Sequence, residues 1–344
     1  MSYPQAGALA DGRPDADEGA WIGDQDASGI AVRCSIVIPT YRRPAYLRRC
    51  LEAIAAQTRA PEEVVLVVRP EDTESLAAIR SLQSVRRRCE VRTVFVSEPG
   101  IIQAENRGVA AAQGEILAFL DDDTEPPAGW LAGLLAHYAD PGVGGVGGPV
   151  IPVVAGVPVR RRAWFPNRVV FPGLILDSSS RIGRRVTDVD HLQGANMSLR
   201  HHLIQQIGGF DIRLVGDQFR WELDACLAVR RLGYRLRLDP ALWVNHFEAP
   251  RVADGVDRFA PETVHRNAYN ETYVLLKHTQ APLRPLVALA SLLVGSLSAP
   301  GLVLALASPA LRRGLGSRHA LGVRLLGSSL RGKWAGLRTW GQGK

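Results

Sequence analysis

Between residues 35 and 120 the chain alternates between short β-branched apolar runs and stretches with helical spacing, which constrains the fold more than any other feature. The runs are Ser35-Ile36-Val37-Ile38-Pro39, Glu63 to Val68, Val91 to Val96 and Glu115 to Leu120. Between them Leu47, Leu51, Ile54 and Ala55 recur at helical spacing, and Asp72 to Leu82 and Gln103 to Ala112 read as further helices. Near-continuous Val and Ile runs mark strands buried on both faces. The expected fold class is therefore α/β, a mostly parallel sheet flanked by helices, whose ligands sit at the carboxyl ends of the strands.

At one such end the run Ile116 to Leu120 is followed by Asp121, Asp122 and Asp123. Three adjacent acids repel one another and resist desolvation, so they need a compensating cation or full exposure to water. Carboxylates with no neighbouring Cys suit Mg²⁺ or Mn²⁺, which take their remaining ligands from water and a substrate phosphate. That reading implies a nucleoside diphosphate compound. The alternative is an acidic turn in which Asp123 or Thr124 caps a helix opened by Pro126 and Pro127.

With 344 residues, 46% hydrophobic and 22% charged, the chain has ordinary globular composition and is long enough for one large domain or two. Cys34, Cys50, Cys89 and Cys226 are scattered, so neither a zinc site nor a disulfide framework is indicated and a reducing compartment fits. Residues 1–33 lack an apolar h-region and carry six acids, which reads as a solvated, disordered leader. The net charge of +7 is concentrated at the other end, because Lys277 to Lys344 contains no Asp or Glu. A basic tail beside an apolar stretch points to an anionic membrane surface rather than to nucleic acid.

Gly142 to Gly147 matches GxGxxG but follows a helical stretch and leads into Pro149-Val150-Ile151-Pro152, which argues against a dinucleotide fingerprint. Residues 153–185 read as an irregular Arg- and Pro-rich loop, either a solvated surface or a lid meeting the acceptor. A helix is expected from Arg200 to Ile207 and another from Trp221 to Leu232, followed by strands at Tyr234 to Leu238 and Ala241 to Asn245, the last ending at His246. Leu286 to Ala307 is 22 residues without a charge, interrupted by Pro300-Gly301. Its basic flanks disfavour a simple crossing, so a re-entrant hairpin or an interfacial helix pair is expected, with Trp334 and Trp340 as anchors.

The strand motif Ser35 to Arg43, then Asn106-Arg107-Gly108, Gly114 to Asp123, Gly194-Ala195-Asn196-Met197 and Glu222-Leu223-Asp224 together resemble the inverting glycosyltransferases of family 2, over Cys34 to Phe247. The resemblance implies a GT-A fold over 34–250, with a nucleotide-binding half at 34–125 and an acceptor half at 126–250, ahead of a helical, membrane-associating region at 251–344. It implies that Asp121 and Asp123 contact the ribose and the metal, with Asp122 beside them at the nucleotide. Pro39, Thr40, Tyr41 and Arg42 would then meet the nucleobase or ribose, with Asn106 also on that side. Asp72 stands where the family places an acid that reads the base. Glu222 falls at the position of the catalytic base, and Gly194, Ala195, Asn196, Trp221 and Asp224 on the acceptor side. His246 is a candidate third metal ligand, with a structural strand-end role as its alternative, and Asp217 is a weaker candidate for the base.

The implied function is metal-dependent transfer of a sugar from a nucleoside-diphosphate-sugar to a glycan or lipid-linked acceptor, in envelope or exopolysaccharide synthesis at the cytoplasmic face of the cell membrane. Two other readings remain at this level. A sugar-nucleotide nucleotidyltransferase would carry a glycine-rich phosphate loop after the first strand, where Thr40-Tyr41-Arg42-Arg43 has no glycine. A non-catalytic glycan-binding scaffold would have no use for both acidic motifs.

Overall fold

The computed structural model describes residues 32–81, 83–162, 165–177, 180–181, 183–249, 260–296, 298–305 and 321–342. Most of the expected leader, Trp164 and residues 306–320 within the C-terminal stretch lie outside them.

The four apolar runs form strands β1 (Cys34–Thr40), β2 (Glu63–Val68), β3 (Glu90–Phe95) and β4 (Ile116–Leu120). Helices α1 (Pro44–Ala55), α2 (Thr73–Ser81), α3 (Gln83–Arg86) and α4 (Ile101–Ala111) lie between them. β1 pairs in parallel with both β2 and β4, and β2 with β3. Alternation along each strand then separates two cores. Ile36, Ile38, Leu66 and Leu120 pack with Leu47, Leu51 and Ile54 of α1 on one face. Val37, Val67, Leu117 and Phe119 pack with Ile102 and Val109 of α4 on the other. Helix α4 approaches β1 closely because residue 108 is glycine; a Cβ there would lie 2.3 Å from Val37 Cγ1.

Beyond β4 the chain forms β5 (Thr124–Glu125), α5 (Trp130–Ala136), β6 (Val143–Gly147), β7 (Val150–Val154), β8 (Val157–Pro158), β9 (Arg168–Val170), β10 (Leu174–Leu176), β11 (Thr187–Val189) and β12 (Asn196–Arg200). Helices α6 (His201–Gln206) and α7 (Trp221–Arg231) and strands β13 (Arg235–Leu238) and β14 (Val244–His246) follow. The main sheet runs β11-β13-β6-β12-β4-β1-β2-β3, and a smaller one runs β5-β14-β7-β8. Strand β12 is antiparallel to β4 and β6, so the sheet is mixed. The GxGxxG stretch is thus a buried strand. Its glycines admit the neighbouring strand, since a Cβ on Gly147 would lie 2.5 Å from the Asn196 carbonyl oxygen. Residues 153–185 are also more regular than expected: β8 closes a hairpin with β7, and β9 and β10 form a second one.

The C-terminal region is helical, with α8 (Pro261–His278), α9 (Arg284–Leu293) and α10 (Leu321–Gln342). No helix among the described residues is long and apolar enough to cross a membrane. Within the apolar stretch α9 is followed by a turn in which Gly295 bridges Pro300, and residues 302–305 are helical again. Helix α10 packs along α8 through Gly332 and Gly336, where added Cβ atoms would lie 2.1 Å from the His265 carbonyl oxygen and 2.7 Å from that of Tyr269. Tyr273 and Val274 of α8 belong to the same core as α7.

Beneath these helices is a buried polar knot. Glu271 Oε2 accepts from Arg220 Nη2 at 3.0 Å and from the Ser296 hydroxyl at 2.9 Å. The buried Lys333 donates to Ser291 Oγ at 3.2 Å; burial holds its ammonium below its ordinary pKa, with Glu271 opposing that shift. Glu271→Ala would leave the Arg220 guanidinium buried without its counter-charge, at a cost of about 3–5 kcal/mol. The expected result is a clearly lowered urea midpoint, and an unchanged midpoint would show that the pair contributes nothing.

Candidate active site

Because β1 and β4 are neighbours, Thr40 and the three aspartates reach the same edge of the sheet. Asp122 is buried and fully engaged: Thr40 Oγ1 donates to it at 2.7 Å and Arg43 Nη1 at 3.0 Å. Burial outweighs both partners and pushes its carboxyl up to about 7. Asp122 and Thr40 therefore clasp the ends of the two strands together at the edge where the resemblance sets the nucleotide. Arg43, passed over as part of an amphipathic helix, also lies 3.5 Å from Asp123 Oδ2.

Strand β14 runs antiparallel to β5 and sets His246 opposite Thr124. The chain after His246 wraps Asp123, whose carbonyl oxygen accepts from Phe247 N at 2.9 Å and whose Oδ2 accepts from Ala249 N at 2.8 Å. Asp123 Oδ1 is buried and lies 3.1 Å from His246 Nε2 without forming a hydrogen bond. Asp121 Oδ2 is 3.9 Å from the same nitrogen. Burial pushes the Asp123 carboxyl up, but His246, the Ala249 N–H and Arg43 pull it below its ordinary value. His246 is correspondingly raised, burial being outweighed by Asp123 and Asp121.

One ligand atom each from Asp121, Asp123 and His246 falls within 4.8 Å of the others. Two carboxylates, an imidazole and a buried oxygen lacking a donor fit a divalent cation with open positions, and Mn²⁺ suits this mixed set. The capping alternative does not hold. Thr124 donates to the Asp121 carbonyl oxygen and enters β5, whereas α5 begins at Trp130 with Gly129 at its cap.

On the β1 side Arg42 has φ 54° and donates its N–H to Asp72 Oδ2 at 2.5 Å, while Ser75 N donates to Asp72 Oδ1 at 3.1 Å. Asp72 is thus spent on shaping the loop and starting α2. Tyr41 stands in that loop between Arg42 and Arg69, whose guanidinium carbons lie 5.0 and 5.1 Å from its ring centre. Pro39 is within β1, paired with Val67. Asn106 does not reach the nucleotide side; its amide donates to the Phe210 carbonyl oxygen and accepts from Phe210 N.

One acid escaped sequence reading. Glu105 is buried, its Oε2 has no hydrogen bond, and burial together with Asp121 pushes its carboxyl well above the ordinary value. Its place on the apolar face of α4, between Ile102 and Val109, was the available signal.

Across the cleft Glu222 opens α7. Burial, with Asp177 and Asp121 adding, raises its carboxyl to about 7 against its own N–H and Arg220. The segment before it is locked in place. Gln218 and Arg220 have φ 58° and 77°, conformations that cost non-glycine residues about 1–3 kcal/mol and gather at functional sites. Gln218 accepts from Ile102 N at 2.6 Å, and Arg220 is held by Glu271.

The other expected acceptor residues are packing elements. Gly194 leaves room for the Trp221 indole, since a Cβ would lie 2.5 Å from Cζ2. Trp221 stacks edge-on with Phe119 and Phe210, and Ala195 is buried in the core. Asn196 accepts from Trp130 Nε1 and donates to the Leu242 carbonyl oxygen. Asp224 ties α7 to α8 through Lys277 at 2.7 Å and His278 at 2.8 Å. Asp217 lies exposed in the loop before α7.

A parallel-rich sheet with an acidic, cation-competent edge and a half-buried carboxyl on α7 within the field of Asp121 has GT-A architecture. The Glycosyl transferase family 2 profile matches residues 35–208, and the chain belongs to that family, whose members are inverting. It is 28% identical over 234 residues to the pre-mycofactocin glycosyltransferase of Mycobacterium tuberculosis, covering 66% of this chain and 45% of that protein. The chain thus spans less than half the length of that relative. It is 25% identical over 226 residues to the glucosyl-dolichyl phosphate glucuronosyltransferase of Haloferax volcanii, covering 62% and 69% of the two chains.

Among solved structures, the mannosyltransferase PcManGT from Pyrobaculum calidifontis, in complex with GDP-Man and Mn²⁺, superposes with a TM-score of 0.54 at 18% identity, covering 89% of this chain and 87% of that one. GalNAc-T7 with UDP, GalNAc and Mn²⁺ gives 0.53 at 17% identity, covering 71% and 47%. These likenesses establish a shared fold.

Asp123→Ala removes the central ligand of the proposed metal set. A ligand at a hundredfold excess over its Kd stabilises a fold by about 2.7 kcal/mol. Mn²⁺ with UDP or GDP is expected to raise the melting temperature of the unaltered protein and leave Asp123→Ala unmoved; an equal rise in both would rule out the site.

Proposed function

We propose that the protein is a metal-dependent inverting glycosyltransferase that moves a sugar from a nucleoside-diphosphate donor to a hydroxyl of a lipid-linked or glycan acceptor. The observation that supports this is the convergence of Asp121, Asp123 and His246 at the strand edge, with Glu222 at the head of α7 close enough for the Asp121 charge to help raise its carboxyl to about 7. A general base works best when its pKa lies near the operating pH.

In this reading Tyr41, flanked by Arg42 and Arg69, receives the nucleobase, and Asp121, Asp123 and His246 hold the cation. When bound, Mn²⁺ or Mg²⁺ offsets the negative charge that develops on the nucleoside diphosphate. Glu222 takes the proton of the acceptor hydroxyl. The acceptor oxygen forms its bond to the anomeric carbon on the face opposite the diphosphate as the sugar-to-phosphate bond breaks, which inverts that centre. Arg220, held by Glu271, keeps the carboxyl aimed into the cleft and stabilises its ionised form. Glu105 stays a neutral acid near Asp121, because its burial and then the Asp121 charge both oppose its ionisation.

A lipid-linked acceptor is favoured by the likeness to an enzyme named for a dolichyl phosphate substrate, and by the basic C-terminal region. The enzyme then works at the cytoplasmic face of the cell membrane in envelope or exopolysaccharide synthesis.

Two measurements bear on Glu222. As the base it must be ionised, so kcat/KM rises with pH, passes half-maximum near 7 and levels above it. Glu222→Gln is expected to keep donor affinity and lose about 10²–10⁴ in turnover. Between its ordinary 4.5 and about 7 the folded protein holds a proton that the unfolded chain releases, so stability falls as pH rises through that window. Glu222→Gln removes its share of that slope, Asp122 and Glu105 supplying the rest. Full turnover in the variant would refute the assignment.

A further inference from the structure

We propose that the tip of the β9–β10 hairpin and the outer face of α9 form one surface that docks on an anionic lipid bilayer. The two elements are distant in sequence yet pack together: a Cβ on Gly173, at the hairpin turn, would lie 3.5 Å from Val287 Cγ1. Val169 and Ile175 of the hairpin face Leu275, Leu276 and Val287. Strand alternation then turns Val170 and Leu174 outward, and Phe171 between them is 56% exposed. On α9, Val287 and Ser291 are buried, while Leu286, Leu289 and Leu293 recur at helical spacing on the opposite face, Leu289 being 52% exposed. Six large apolar side chains on adjoining elements exceed the scattered exposure usual for a protein surface.

The charge around this face selects the partner. After Glu271 the chain contains no Asp or Glu, and α10 carries Arg331, Trp334 and Arg338 along its exposed side. Trp340, by contrast, lies under Arg284. A C-terminal region that joins an exposed apolar face, many cations, no acid after Glu271 and an exposed indole matches the boundary between acyl chains and anionic headgroups. The hairpin's outgoing strand leads straight into Asp177, whose charge acts on Glu222. Resting on the proposed transfer reaction, the surface therefore sets the base-bearing wall of the cleft beside the bilayer, where a lipid-linked acceptor would present its hydroxyl.

The test uses the full chain with vesicles of phosphatidylcholine alone or mixed with phosphatidylglycerol, read by co-sedimentation beside light-scattering mass and hydrolysis of soluble donor. The expected outcome is binding to the anionic vesicles, with Phe171→Glu and Leu289→Glu each weakening it by about tenfold or more and leaving donor hydrolysis unchanged. The proposal falls if the unaltered chain ignores the anionic vesicles, if both variants bind as it does, or if it is a stable dimer that the same substitutions dissolve. Vesicle binding is read independently of turnover, so loss of the transfer reading would show in the hydrolysis assay alone.

Discussion

Three carboxylates at the end of one buried strand are an electrostatic problem, and much of the fold solves it one residue at a time. Asp122 is withdrawn into the clasp between β1 and β4, where Thr40 and Arg43 take both its oxygens. Asp123 is enclosed by the chain returning from β14, which brings His246 and two backbone N–H groups to it. Asp121, with the most exposed side chain of the three, acts on Glu105, His246 and Glu222 alike. The acids can lie this close only because each faces a different partner.

The consequences reach far from the triplet. Residues 35–208 carry the family match, yet the carboxyl that faces Asp121 lies on α7, beyond them. Arg220, two residues before it in a left-handed conformation, is held by Glu271 of α8. Lys333 and the glycines of α10 hold α8 in turn. The C-terminal helices are therefore structural members of the cleft.

What could be read in the sequence follows from how strongly each residue type declares its environment. Val- and Ile-rich β1, β2 and β4 are unambiguous because only strands buried on both faces tolerate such runs. Val143 to Gly147 and Asn196 to Arg200 were not legible as strands, since glycine and polar side chains conceal a burial imposed by neighbours. The convergence of Asp121, Asp123 and His246 was legible from their places at strand ends. Asn106, Asn196 and Asp224 misled, because a buried polar side chain saturated by backbone or a counter-ion looks in sequence like one reserved for substrate. Arg43 was hidden among the charges just before α1, and Glu105 in a helix whose periodicity explained it too readily.

The fit of Trp221 over Gly194 carries a last consequence. The indole that begins the base-bearing helix occupies the volume a side chain at 194 would need. The two positions act as one hereditary unit: a larger residue at 194 is admissible only with a smaller one at 221, and that exchange would shift the start of α7 and Glu222 with it. Drift at either position is thus checked by the other.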